Sequence, residues 1–300
     1  GNGVRYMKKV LLAAGISLLL SVTVSAAEPI TLADRADKLD TVVYGSVQSG
    51  SLSERVGTMD QDVYGMKKAN GLNDEISGLY TDVLHSDNDA KPALETRVNT
   101  MEYYLTDRIR QDSLVTRVGD LETKVLGKTG TGALEKRTDA LETAVYGDKH
   151  FELTDVDLPA NTVFKISMNE DVNTKTNLVG DVVHFTVQED VRSGDVLVLP
   201  RGAQGSGVIT KVVKPQSFGR SGKLEISFDQ VFSIDDEAIP TVLGVESKEM
   251  IKKEAAAVGA SAVGALVLGP VGLVGGFFVK GSNVDMPAGT QLYIQTKETV

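Results

Sequence analysis

Residue types that carry chemistry are few in this chain, and none is grouped as a reaction requires. The 300 residues include only three histidines, His85, His150 and His184, and no cysteine. A zinc site takes three or four closely spaced His, Cys or carboxylate ligands, and a nucleophilic triad takes a base beside its nucleophile. Gly127-Lys128-Thr129 looks like the end of a phosphate-binding loop, but that loop also needs a glycine where this chain has Glu122. Asp87-Asn88-Asp89 lacks the remaining ligands of a calcium loop, and Asp235-Asp236-Glu237 reads as a hairpin turn. The absence of tryptophan disfavours a sugar-stacking site. The reading is a chain with no catalytic residues, no cofactor and no metal ligand, with a secreted hydrolase as the outside alternative.

The N-terminus explains where such a chain works. Met7-Lys8-Lys9 is a positive segment, Val10 to Val24 an apolar one, and Val24-Ser25-Ala26 or Ser25-Ala26-Ala27 a cleavage site of small residues. Residues 1–27 read as a signal peptide, with 1–6 an upstream extension; an uncleaved anchor is the competing reading. The apolar run falls short of the roughly 20 residues that span a bilayer. Export to the periplasm, outer membrane or cell surface follows. Removing Arg5, Lys8 and Lys9 takes the formal charge from −10 to −13. Such an acidic chain is not expected to bind nucleic acid, which needs clustered cations. Without cysteine, stability must come from packing or from a homo-oligomer.

Residues 28–149 are repetitive. Leu32, Leu52, Leu72, Leu94, Leu114 and Leu134 stand 20, 20, 22, 20 and 20 residues apart and open six similar units. Each continues with Arg35, Arg55, Glu75, Arg97, Arg117 or Arg137, and then with an apolar column of Leu39, Met59, Leu79, Met101, Leu121 and Leu141. Apolar spacings of 4, 3 and 4 make one helical stripe. Gly45, Gly65, Gly127 and Gly147 stand where a helix C-cap wants a left-handed residue, and Ser51 with Glu54 has the form of a capping box. Each unit predicts a helix of about 14 residues. A continuous coiled coil is excluded because 20 residues turn the stripe to the opposite face. A folded-back array and a segmented oligomeric stalk both remain. The Arg and Glu columns read as a solvated, ion-paired rim beside the Leu seam.

Residues 150–300 change to strand-like alternation at 162–168, 181–188, 195–199, 207–213, 223–228, 239–243 and 291–296. Val156 to Thr162 echoes Val284 to Thr290, with a weaker copy at Leu199 to Ala203, so the last strand is expected to complete the same sheet. The fold class is therefore α+β: a helical repeat array, coiled-coil-like in its pattern, and a small β-barrel or sandwich with an inserted apolar helical hairpin at 254–280. Ala255 to Val279 carries no charge and contains Gly259, Gly264, Gly269, Pro270, Gly272 and Gly276. Small residues four apart permit close helix approach in lipid. A single spanning helix, two short helices turning at Gly269-Pro270, and a soluble buried hairpin are the three readings.

The succession Leu158-Pro-Ala-Asn-Thr162, Leu178-Val-Gly180, Val196-Leu-Val-Leu-Pro-Arg-Gly202, Gly207-x-Ile and Gly222-Lys-Leu-Glu-Ile226 resembles the C-terminal barrel of TrbI-like scaffold subunits of conjugation and type IV secretion channels. The resemblance covers about residues 155–300 and implies a barrel whose helical hairpin enters the outer membrane. Those subunits keep an inner-membrane anchor and a proline-rich segment where this chain has a signal peptide and helical units. The resulting expectation is a non-catalytic envelope scaffold, engaging a membrane through 255–279 and an envelope protein partner. A surface adhesin displaying the helical units is the alternative.

Overall fold

The computed structural model describes residues 30–86, 88, 90–148, 156–258, 272–273, 276–279 and 281–300. The signal segment, His150, Gly259, Gly264, Gly269 and Pro270 lie outside the described residues. The chain divides into two compact units, Gly1–Asp155 with Ile234–Asp236, and Val156–Ser233 with Glu237–Val300.

In the first unit, helices α1 (Leu32–Tyr44), α2 (Leu52–Tyr64), α3 (Leu72–Leu79), α4 (Leu94–Thr106), α5 (Leu114–Leu126) and α6 (Leu134–Tyr146) each open on a seam leucine. Thr31 and Ser51 close capping boxes with Asp34 and Glu54. Gly45, Gly65 and Gly127 end their helices with φ of 84–89°, which a side chain would strain. After α3 the backbone widens into a π turn over Tyr80–Leu84, within the one unit that is two residues longer than the others. All six helices feed one apolar core, including Leu39, Met59, Leu79, Met101, Leu121 and Leu141. Leu94, Leu114 and Leu134 are buried there, while Leu32, Leu52 and Leu72 are partly covered. Contacts of α1 with α5 and of α2 with α6 close the array on itself. A short amphipathic helix cannot bury its own stripe, and here the later helices cover the earlier ones. That geometry is the folded-back arrangement rather than a stalk.

The second unit is a six-stranded antiparallel barrel. Its strands β1 (Val163–Met168), β3 (Val182–Val187), β6 (Gln204–Val213), β7 (Gly222–Phe232), β8 (Ala238–Val242) and β12 (Gln291–Thr296) follow the order β6-β3-β1-β12-β8-β7, and β6–β7 pairing closes the ring. Closure removes the sheet edges on which other chains would pair. Phe164, Ile166, Phe185, Phe228, Leu292 and Ile294 fill the interior. Phe185 and Phe228 meet edge to face at 5.7 Å. The echoed segments form matching turns: the hydroxyls of Thr162 and Thr290 donate to Pro159 O and Pro287 O at 2.7 and 2.6 Å. They lead into β1 and β12, which pair. Residues 196–199 depart from expectation, because β5 (Val196–Leu199) pairs with β4 (Val191–Ser193) in a separate hairpin outside the barrel. A further two-stranded pair joins β2 (Val172–Asn173) to β11 (Asp285–Met286).

Between β8 and β12 lies the insertion. Helix α7 (Val245–Val258) begins ten residues before the charge-free run and carries Glu246, Lys248, Glu249, Lys252, Lys253 and Glu254. The returning arm is extended rather than helical: β9 (Gly272–Leu273) pairs with β10 (Phe277–Val279), and β10 adds to β7. The expected second helix of the hairpin is therefore replaced, over these residues, by strand. Aromatic and β-branched residues favour a pleated surface, and Phe277 and Val279 are buried in it. Among the described residues no helix is long and apolar enough to cross a membrane.

Candidate functional site

The ionic residues of the helical unit are organised in a way their side-chain types alone do not reveal. One residue after each Leu/Met column stands a carboxylate in five of the six units: Asp40, Asp60, Glu102, Glu122 and Glu142. Fifteen residues after four of these carboxylates stand Arg55, Glu75, Arg117 and Arg137. Arg55 Nε donates to Asp40 at 2.8 Å, Arg117 Nε to Glu102 at 2.8 Å, and Arg137 Nε to Glu122 at 2.9 Å. The same carboxylates accept loop N–H groups eight residues on, from Gln48, Lys68, Arg110 and Gly130. Each acid thus ties its own helix to the loop that follows and, where an arginine is present, to the next helix.

These groups are not a solvated rim. Arg117 and Glu102 are each 3% exposed and Glu122 is 2% exposed. The expectation of a surface rim fails because the stripe flanks become interior once the helices close on one another. The acid column, one position beyond the apolar column, is the sequence signal that points to it. Two interruptions follow the same logic. In the third unit the acid position holds Tyr80, so Arg97 has no carboxylate there and pairs instead with Asp139 and Glu142 of the last helix. In the same unit the Arg position holds Glu75, so Asp60 has no guanidinium.

Asp60 is fully buried, and its Oδ1 has no hydrogen-bond partner among the described residues. Burial pushes its carboxyl above the ordinary Asp range, with Glu75 adding to the rise. By contrast, hydrogen bonding from Arg137 holds Glu122 below the usual carboxylate range. The two carboxylates give opposite pH effects. Glu122 contributes stability above its unfolded value that is lost as pH falls through its folded value. Asp60 favours the protonated folded state, so its contribution declines as pH rises from its unfolded value through its folded one. Glu75→Arg supplies the missing guanidinium, in the relation Arg55 has to Asp40. It is expected to raise stability by about 1–3 kcal/mol, the usual penalty of an unsatisfied buried polar group. Urea midpoints measured across acidic pH check this: the variant should gain most above the Asp60 folded value, and a lower midpoint there would oppose the pairing scheme.

In the barrel unit, a surface cavity of about 350 Å³ is lined by Glu225, Ser227 and Asp229 of β7, Thr241 of β8, Lys248 of α7 and Lys297. Its lining carries charges of both signs. His184 Nδ1 lies 3.3 Å from Glu170 on the surface, and among the described residues no three metal-ligating side chains converge. Gly272 is in strand β9, not on a helix face. Gly276 has φ of 140°, and an added Cβ would stand 3.0 Å from Leu224 O. Its smallness serves a close approach to β7 rather than helix association.

The chain is similar over 48% of its length, and over 88% of the other chain, to ComB10 of the Com type IV secretion system of Helicobacter pylori, at 13% identity and a TM-score of 0.29. No protein family matches the chain. No curated protein matches it either.

Proposed function

We propose that this chain is an exported, non-catalytic scaffold of the cell envelope, assembled as a homo-oligomer and attached to a membrane, the outer one in a two-membrane cell, through its uncharged insertion. The observation that carries this reading is the placement of that insertion. It departs after β8 and returns before β12, and these strands pair, with Val242 opposite Gln295. A barrel closed by hydrogen bonds needs no such segment for its own completion, so an uncharged run there serves something outside the barrel. Because Phe277 and Val279 belong to the core, the membrane-facing portion narrows to residues 259–271. The six helices open similar units of 20 or 22 residues, and their closed array is a module for contacting an envelope partner. Buried, paired charges within it serve helix register rather than ligand capture.

Expression of the full chain in a Gram-negative host, followed by fractionation and mass determination of its N-terminus, tests the export half. The expected product begins at Ala27 or Glu28 and is recovered outside the cytoplasm. An unprocessed chain recovered in the cytoplasm would overturn it.

A further inference from the structure

The β6–β7 hairpin runs past the barrel wall and ends on a residue the fold does not use. Gln216 bridges to Arg220 across the tip, and Phe218 stands at its apex, 105% exposed. Its φ is 75°, a left-handed conformation that bulky side chains rarely adopt. A fully solvated phenyl ring on strained backbone contributes nothing to the barrel and costs apolar exposure. It is not alone: Leu178, Val179 and Val182 are also exposed, at 67, 63 and 56%.

Strand register places these residues at one end of the barrel. Gly180 donates to Ile209 O, which brings the Leu178–Val179 loop beside the outgoing arm of the hairpin. β7 begins at this end, and Gly272 and Phe278 pair at the level of Lys223. Helix α7 runs towards the same end, since Ser247 meets Gln295 and Glu254 meets Tyr293, nearer the start of β12. The two described flanks of the insertion, the C-terminal end of α7 and Gly272 of β9, therefore both lie towards the end that carries Phe218.

Charge agrees with this placement. From Val196 to Leu224 the chain holds Arg201, Lys211, Lys214, Arg220 and Lys223 and no carboxylate, in a chain of net charge −10. Lys211, Lys214 and Arg220 are all exposed around the tip. An aromatic apex flanked by cations matches an anionic lipid surface, where the ring enters the headgroup region and the cations meet phosphates.

We propose that this end of the barrel docks on an anionic bilayer, with Phe218 as the interfacial anchor and Lys214 and Arg220 as headgroup contacts. The inference rests on the membrane reading above but is tested separately from it. The chain has no tryptophan, so Phe218→Trp in the full chain makes a single fluorescent reporter. With phosphatidylglycerol-containing vesicles its emission should shift to the blue and be quenched by brominated lipid, but not with phosphatidylcholine vesicles. Leu126→Trp, on the helical unit, should show neither effect. Lys214→Glu with Arg220→Glu should weaken vesicle binding by roughly tenfold or more, at about 1 kcal/mol per cation. Phe218→Gly should also weaken it while leaving the thermal midpoint unchanged or higher, since glycine suits this φ. A Phe218→Trp chain that floats with vesicles while its indole stays in water would overturn the docking face and leave the insertion reading standing. A full chain that binds no vesicles would overturn both.

Discussion

Arg117→Ala is expected to destabilise the helical unit by about 3–5 kcal/mol, the cost of removing one partner from a buried ion pair. Arg117 Nε donates to Glu102 at 2.8 Å, and both residues are buried in the closed array. After truncation Glu102 keeps Arg110 Nε at 3.1 Å. That guanidinium has 37% of its side chain exposed and is shared with Asp112 and Asp120, so it cannot replace a desolvated partner. The loss is not simply of attraction, because it strands a charge in a poorly solvated place. A double variant, Arg117→Met with Glu102→Leu, should therefore recover most of the loss. Urea unfolding of the full chain, followed by helical circular dichroism, reads both. If the single variant cost no more than an exposed pair, below about 1 kcal/mol, the network would be peripheral after all.

Gly207→Val should be more damaging, preventing barrel closure rather than merely weakening it. A Cβ at position 207 would lie 2.1 Å from Ser227 O and 3.1 Å from Phe228 Cα, both backbone atoms that cannot turn aside. Position 207 is also where the β6–β7 register shifts, on the pairing that closes the ring. Gly205, one pleat earlier, makes room for the Phe185 ring in the same way. The expected loss exceeds about 4 kcal/mol, in the range kept for overpacking and backbone conflict. Ser206→Val, whose side chain faces outward between the two glycines, should be tolerated. Solubility and limited proteolysis distinguish them: equal resistance in both variants would contradict the closure argument.

How much of this is legible in the sequence depends on whether a residue's role is local. Helix starts at Leu52 and Leu114, the Ser51 cap and the Gly45 and Gly127 ends follow from neighbours within a turn or two. The β1–β12 pairing is signalled by the echo of Val156–Thr162 in Val284–Thr290. What sequence reasoning misses is non-local. Whether Arg117 faces water or protein depends on helices 20 or more residues away folding back over it. The final arm of the glycine-rich run reads as helix by its small-residue spacing, yet Phe277 and Val279 take their conformation from β7, some fifty residues earlier. Tertiary pairing overrides a short local pattern. Gly276 reads in sequence as a small residue that lets helices approach closely, whereas its positive φ and its approach to Leu224 set its identity. Gly205 and Gly207 carry no local signal of their role, because only the closed ring brings Phe185 and Ser227 against them.

The central proposal is that residues 259–271 hold the chain to a membrane. Its most direct test is alkaline extraction of membranes bearing either the full exported chain or one from which these thirteen residues are replaced by a short Gly-Ser link. The full chain is expected to stay with the membrane pellet, and the replaced chain, still folded by circular dichroism, to be released. Release of both into the soluble fraction would contradict it, and would assign the uncharged segment to packing within the protein or its oligomer.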